Sequence, residues 1–128
     1  MRKTLKVLAM LTLLGASSWA IAADLADDMD RLSANYKTVL KTNSVDTFKQ
    51  SLQNMRDAAT DSMKGTPPKL KNKAPDGPEM QEFRKGINTL IGQIDLSMEL
   101  ANQGKLEDAR KLAREFKQTR DTNHKKFR

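Results

Sequence analysis

The sequence predicts an all-α protein, an up-down-up-down antiparallel four-helix bundle. Apolar residues recur at spacings of three and four through four segments, as in amphipathic helices, and turns containing glycine, proline or serine separate the segments. The alternation of apolar and polar residues that is typical of strands does not occur along the chain. Two of the three connections are short, so consecutive helices are expected to run in opposite directions.

The start of the chain has the three parts of a secretory signal peptide. Three basic residues open it, an apolar run follows from Val7 to Leu14, and Ala20-Ile21-Ala22 matches a cleavage site. The apolar run is shorter than the roughly 20 residues that a membrane-spanning helix needs. We therefore expect residues 1–22 to be removed and residues 23–128 to form one exported helical domain without membrane insertion. In a Gram-negative bacterium its destination would be the periplasm.

A short turn connects the first two predicted helices. The apolar positions of the first are Leu25, Met29, Leu32, Tyr36 and Val39, and those of the second are Val45, Phe48, Leu52, Met55 and Ala59. The turn Thr42-Asn43-Ser44 ends the first helix, and its serine is a favourable N-cap for the second. Gly65 is expected to end the second helix.

A proline-rich connection and one glycine delimit the last two helices. Residues 66–78, TPPKLKNKAPDGP, contain all four prolines and cannot be helix interior. Pro78 suits the first position of the third helix, and Gly104 suits its C-terminal end. The third apolar stripe is Met80, Phe83, Ile87, Leu90, Ile94 and Ala101, and the fourth stripe is Leu106, Ala109, Ala113, Phe116, Arg120, His124 and Phe127. Because the helices alternate in direction, this connection must close the end where the first helix starts and the fourth ends.

Charge and residue content exclude several classes of function. The chain carries a formal net charge of +7, and the predicted signal peptide holds three basic and no acidic residues, so the mature chain carries +4. A concentrated basic stripe with interleaved aromatic residues is missing from the sequence, which argues against nucleic acid as a partner. The sequence also has no Ser/His/Asp set, no zinc-ligand cluster and no glycine-rich phosphate loop, so we do not expect an enzyme.

The fourth stripe becomes polar near its end, at Arg120 and His124. Burying both without partners would be costly, so either this end is solvated or something fills the space between the helices. Met29 lies on the first helix at the same end. A thioether and an imidazole facing each other across a bundle can serve as the two axial ligands of a haem iron. Methionine is also a common core filler, and histidine near a helix C-terminus is often a surface cation, so the residues alone leave these readings open.

Six short motifs extend this reading, because together they resemble the soluble cytochrome b562 family over the whole mature length. The motifs are ADL at 23–25, TPPKL at 66–70, PDxPEMxxFR at 75–84, GQID at 92–95, LANxGK at 100–105 and TRxxxHxKxR at 119–128. Soluble cytochrome b562 is itself one of the proteins from which the up-down-up-down bundle is described.

The resemblance implies one b-type haem per chain, held without covalent attachment by Met29 and His124 as axial ligands. It also implies haem contacts among Leu25, Leu32, Met55, Pro67, Pro68, Phe83, Ile87 and Arg120. Related c-type proteins carry cysteines at the positions of Arg120 and Asn123, so the haem is expected to be extractable. Asn123 and Ile87 depart from the family pattern, which favours an aromatic residue and a phenylalanine there, and their effect is expected on packing at the haem edge.

With both axial positions taken by the protein, no open coordination site remains for oxygen chemistry. The expected function is one-electron transfer between Fe(II) and Fe(III), by a monomer that exchanges electrons with unidentified redox proteins. Two alternatives are a haem-free exported helical binding protein and a five-coordinate gas-binding cytochrome with His124 alone on the iron.

Overall fold

The computed structural model describes residues 25–127, and in that range it contains helices, turns and loops but no strand. The elements are α1 (Leu25–Lys41), α2 (Val45–Ser62), a short 3₁₀ helix (Pro68–Leu70), α3 (Pro78–Asn102), α4 (Leu106–Ala113) and α5 (Phe116–Phe127). The four-helix bundle predicted from the sequence is confirmed, with α4 and α5 together forming the fourth helix. The predicted signal peptide lies outside the described residues. No helix within 25–127 is long and apolar enough to cross a membrane.

Two predicted helix ends have the expected geometry. The hydroxyl of Ser44 accepts a hydrogen bond from the backbone N–H of Thr47 at 3.2 Å, which caps the start of α2. Gly104 has a φ of 78°, a left-handed conformation that favours glycine. The N–H of Lys105 then donates to the carbonyl of Leu100 at 2.9 Å, which closes α3 with a Schellman-type turn.

The fourth helix is interrupted between α4 and α5, which the sequence pattern did not predict. At the break the N–H of Gln118 donates to the carbonyl of Glu115, three residues earlier, at 3.2 Å. The carbonyl of Arg114 instead accepts a hydrogen bond from the hydroxyl of Tyr36 on α1 at 3.3 Å. A tertiary hydrogen bond therefore accompanies the local change from α-helical to 3₁₀-type bonding.

The core consists of two apolar clusters. The main cluster fills most of the bundle, and its buried members are Val39, Phe48, Leu52, Met55, Ile94, Ala101, Ala109, Ala113 and Phe116. The end cluster lies beneath the proline-rich connection, and its buried members are Ala59, Leu70, Met80, Phe83 and Ile87. Leu32 and Leu90 pack against both clusters, so the two are continuous along the bundle.

A buried arginine ties the end of α1 to α4. The guanidinium of Arg110 donates to the carbonyls of Val39 at 2.9 Å and Thr42 at 2.7 Å, and only 5% of the residue is exposed. These carbonyls lie where α1 ends, so the arginine satisfies acceptors that lack helical partners. The guanidinium also lies 5.8 Å from the centre of the Phe48 ring, within the range of a cation–π contact.

We expect Arg110→Ala to lower the free energy of unfolding by about 2–3 kcal/mol, because one buried and one partly buried carbonyl lose a charged donor. Urea unfolding followed by circular dichroism measures the change. Arg114→Ala is the matched control, since its side chain is exposed and only its backbone carbonyl is used. Equal losses in the two variants would contradict the role given to Arg110.

Candidate functional site

One end of the bundle is closed by the proline-rich connection. Leu70, at the end of the 3₁₀ helix, is 6% exposed and packs with Met80, Phe83 and Ile87 of α3. Pro67 is buried just before it. The connection therefore covers the end at which α1 and α3 begin and α2 and α5 finish, as the alternation of helix direction predicted.

Met29 and His124 lie at this closed end, on the first and last helices, and both are half-buried. Leu25 at the start of α1 and Phe127 at the end of α5 both pack against the end cluster. Met29 follows Leu25 by four residues and His124 precedes Phe127 by three, displacements of roughly 6 Å and 4.5 Å along their helices. Since α1 and α5 both reach this end, Met29 and His124 each lie about one helical turn from it.

Backbone contact between α1 and the two segments of the fourth helix is sparse. The backbone of α1 approaches α4 more extensively than it approaches α5. Met29 is not among the residues that pack in either apolar cluster. Within residues 25–127 the ring of His124 forms neither a hydrogen bond nor an ion pair. Both candidate donors are thus available to a ligand between α1 and α5.

Four of the predicted contact residues come together at the closed end. Phe83 and Ile87 are buried in the end cluster, and Leu25 and Leu32 pack against it. The ring of Phe83 also meets the ring of Phe127 edge-on, with centroids 5.6 Å apart. These side chains provide an apolar wall contributed by α1, α3 and α5.

The other predicted contacts lie elsewhere or face solvent. Met55 is buried in the main cluster, which adjoins the closed end only through the residues shared by the two clusters. Pro67 is buried in the connection, whereas Pro68 is exposed. The structure therefore does not gather Met55 and Pro68 with the end cluster, and their contact with a cofactor stays a prediction.

The expectation that Arg120 points inward is wrong. Its side chain is 42% exposed, and its Nε lies 3.2 Å from Oδ1 of Asp121. Steps of three and four from the buried Phe116 lead to Thr119 and Asn123, which are half-buried and occupy the inner face of α5. Arg120 lies to one side of that face, from which a long charged side chain reaches water.

A close approach of α3 to α5 was not foreseen from the sequence. A Cβ atom built on Gly86 would collide with the side-chain amide of Asn123, the residue before His124. Glycine inside a helix lowers stability by about 1 kcal/mol relative to alanine. A glycine within the third predicted helix was therefore a sign in the sequence that a side chain would not fit there. The family departure at Asn123 thus places a short side chain against a glycine of α3.

We expect Gly86→Ala to lower the free energy of unfolding by about 1 kcal/mol, because α5 must move away from α3. Gly92→Ala in the same helix is the control, and it should raise stability by about 0.5–1 kcal/mol because no atom lies within 4 Å of the added Cβ. Thermal unfolding of the haem-free protein measures both. Combining Gly86→Ala with Asn123→Ala should recover the loss, and failure to recover it would contradict the contact.

The carboxyl groups of Asp28 on α1 and Asp61 on α2 interact with each other, and Asp28 is the residue before Met29. Asp28 is 3% exposed, although it is charged and next to Met29. Burial and then a hydrogen bond with Asp61 raise the pKa of Asp28 to about 6, and Arg31, at 3.3 Å, only partly opposes this. The amphipathic pattern had placed Met29, not Asp28, as the inward residue of this turn.

The haem-free protein should lose stability as the pH rises from about 4 to 6. The folded-state pKa of Asp28 lies above its ordinary value of 3.8, so the folded protein binds more protons than the unfolded chain in this interval. Asp28→Asn keeps a hydrogen-bonding side chain but cannot ionise, so it should flatten this dependence. Urea midpoints measured between pH 4 and 7 compare the two proteins, and identical slopes would contradict the assignment.

Comparison with known proteins identifies relatives along the whole chain. A family model described as cytochrome b562 matches residues 24–128. The chain is 51% identical over 128 residues to probable soluble cytochrome b562 2 of Yersinia pestis, covering 100% of both chains. It is 38% identical over 112 residues to probable soluble cytochrome b562 1 of the same organism, covering 88% of each chain. An uncharacterized protein of Pasteurella multocida is 26% identical over 129 residues.

The fold and the closed end together define a class of protein. A four-helix bundle that carries a thioether on its first helix and an imidazole on its last, both at one end, is suited to hold a haem between those helices. The family match and the two more similar relatives show that the chain belongs to the cytochrome b562 family. The resemblance noted in the sequence is thereby confirmed, and the protein is a cytochrome.

Proposed function

We propose that this protein is a periplasmic electron carrier that holds one b-type haem without covalent attachment, with the thioether of Met29 and the imidazole of His124 as axial ligands. When bound, the haem supplies an iron that alternates between Fe(II) and Fe(III). The protein acts as a monomer and exchanges electrons with redox proteins that are not yet identified. It has no catalytic residues of its own in this proposal.

The observation that carries the proposal is the pair of half-buried donors on α1 and α5 at the closed end. Met29 packs in neither apolar cluster, and His124 has no hydrogen-bonding partner within the described residues. Sulfur and imidazole nitrogen are the donors of a Met/His haem site. Within residues 25–127 no group of three or more His, Cys, Asp or Glu side chains is placed to hold a metal ion directly.

The surroundings of the donors suit a large apolar ring. Phe83 and Ile87 supply a buried apolar surface from α3, and Leu25 and Leu32 add to it from α1. The chain contains no cysteine, so it has no thiol that could form a thioether bond to a vinyl group. The apolar wall would exclude water from the iron and thereby influence its reduction potential.

Two protein ligands also explain why electron transfer is the preferred function. With Met29 and His124 both engaged, the protein leaves no coordination position open for oxygen or a substrate. A methionine ligand favours the reduced state relative to a second histidine, since it raises the potential. The task of the chain is therefore to hold the iron and set its potential.

The reduced-minus-oxidised visible spectrum of the purified protein after addition of haem tests this proposal. A low-spin spectrum in both oxidation states, with no change on addition of carbon monoxide, is the expected result. Absence of a Soret band would favour a haem-free binding protein. A high-spin ferrous spectrum that binds carbon monoxide readily would favour a five-coordinate gas-binding cytochrome.

Met29→Leu should convert the low-spin spectrum to a high-spin one, because leucine has nearly the size of methionine but cannot ligate iron. Met63→Leu is the matched control, since Met63 is also half-buried and packs against the end cluster. It should leave the spectrum low-spin. An unchanged spectrum in the Met29 variant would show that another residue provides the sixth ligand.

A further inference from the structure

A recess opens on the outer surface of the closed end, between the proline-rich connection and the start of α3. Its volume is about 220 Å³. Four cationic side chains and two thioethers contribute to its lining, namely Lys64, Lys71, Lys73, Arg84, Met63 and Met80. It has no acidic residue in its lining. Neither the fold nor the proposed iron ligands account for this concentration of positive charge.

Three of the four cations that line the recess come from one segment of the chain, and Arg84 of α3 is the fourth. Residues 63–75 contain four lysines and no aspartate or glutamate, whereas acidic and basic residues are mixed along the helices. Lys73 lies 3.9 Å from Glu79, a loose and exposed ion pair. Within the part of the chain that the structure describes, Lys64 and Lys71 form no ion pair. Their charge is therefore not neutralised locally.

The recess is anchored to the end cluster. The guanidinium of Arg84 donates to the carbonyl of Pro75 at 3.2 Å, which ties the connection to α3. Met80 lines the recess and is also a buried member of the end cluster, with 4% exposure. Met63 lines the recess and packs against the same cluster. The recess thus lies directly outside the apolar wall of the candidate site.

We propose that this recess is a docking surface for the acidic face of an electron-transfer protein. The proposal rests on the proposed function, because docking here brings a partner close to the end of the bundle that would hold the haem. Positive charge around an apolar floor suits a transient protein contact, since complementary charge speeds and orients the encounter while the apolar part makes contact.

A protein partner fits this surface better than a lipid membrane does. Segments that bind at membrane surfaces combine basic residues with aromatic or leucine side chains that enter the lipid. The recess has no aromatic or leucine side chain in its lining, and its two thioethers lie within it, one of them buried. A carboxylate-rich protein surface requires complementary charge, which the lysines and the arginine of the recess supply.

The first measurement is a titration of the haem-loaded, reduced protein with an octaglutamate peptide at low ionic strength, followed by amide chemical shifts. The largest shifts are expected in residues 63–75 and at Arg84. Lys64→Gln combined with Lys71→Gln should weaken binding about fivefold, because each exposed charge pair contributes roughly 0.5 kcal/mol. The control is Lys37→Gln combined with Lys41→Gln, which removes the same charge from a second surface recess at the far end of α1. It should weaken binding less than twofold.

The second measurement is the rate at which ferricyanide oxidises the reduced protein. One electron passes from the protein to ferricyanide, which becomes ferrocyanide, so no other reactant is required. The Lys64/Lys71 variant should react at least threefold more slowly at low salt, because the anion is attracted less strongly to this end, and the difference should shrink at high salt. The Lys37/Lys41 variant should react as the unaltered protein does.

Four results would overturn the proposal. The first two are equal losses of peptide affinity in the two double variants and an unchanged ferricyanide rate in the Lys64/Lys71 variant. The third is binding of inorganic phosphate without binding of the peptide. The fourth is binding to phosphatidylglycerol vesicles that depends on Lys64 and Lys71 and occurs without peptide binding. The visible spectrum of each variant, recorded first, separates these results from failure of the proposed function. If no haem binds, the peptide titration of the haem-free protein still reports whether the recess binds acidic polypeptide.

Discussion

The insertion of Leu70 into the end of the bundle is the contact on which the candidate site depends. The chain leaving α2 must cross this end before it can begin α3. Pro67 is extended and Pro68 begins a short 3₁₀ helix, so α2 does not continue into the crossing segment. Leu70 follows them on a 3₁₀ helix that also approaches α5, and it is buried among Met80, Phe83 and Ile87. This burial covers apolar faces that water would otherwise reach.

The same connection has different chemistry on its two surfaces. Pro67 and Leu70 face the bundle, where they close the apolar end. Lys64 and Lys71 face outward, where they line the basic recess. Both properties at one end suit the proposed electron carrier, because a bound haem would be shielded from water while remaining close to a partner. The placement of the connection over α1 and α5 allows one segment of the chain to contribute to both.

Features that depend on local spacing could be predicted from the sequence. Helix bounds follow from apolar periodicity and from breakers such as Gly104, whose positive φ the structure shows. The pairing of Met29 with His124 at one end follows from helix direction alone. The exposed position of Arg120 could not be predicted from apolar spacing, because the break before α5 is linked to a tertiary hydrogen bond from Tyr36. A stripe that includes Phe116 continues through Thr119 and Asn123 instead.

The periodicity of apolar residues could not predict long-range contacts among polar residues. Arg110 is buried because carbonyls some 70 residues earlier in the chain lack partners, and nothing near Arg110 in the sequence indicates this. Asp28 is buried, and Asp61 on α2, 33 residues later in the chain, helps to raise its pKa. Gly86 leaves room for the side chain of Asn123. A glycine is needed at this position because α3 and α5 approach each other closely there.

Resemblance to a known family supplied the two candidate iron ligands. The sequence by itself determined the fold class, most helix ends and the absence of a thiol for covalent attachment. These depend on residue type and on spacing within about one turn, which the backbone geometry of a helix converts directly into position. Only the tertiary structure decided which polar side chains are buried, which predicted contacts gather at the closed end, and where the lysines of the connection face. Those outcomes depend on how separate helices and the connection pack, and packing is a property of the whole chain.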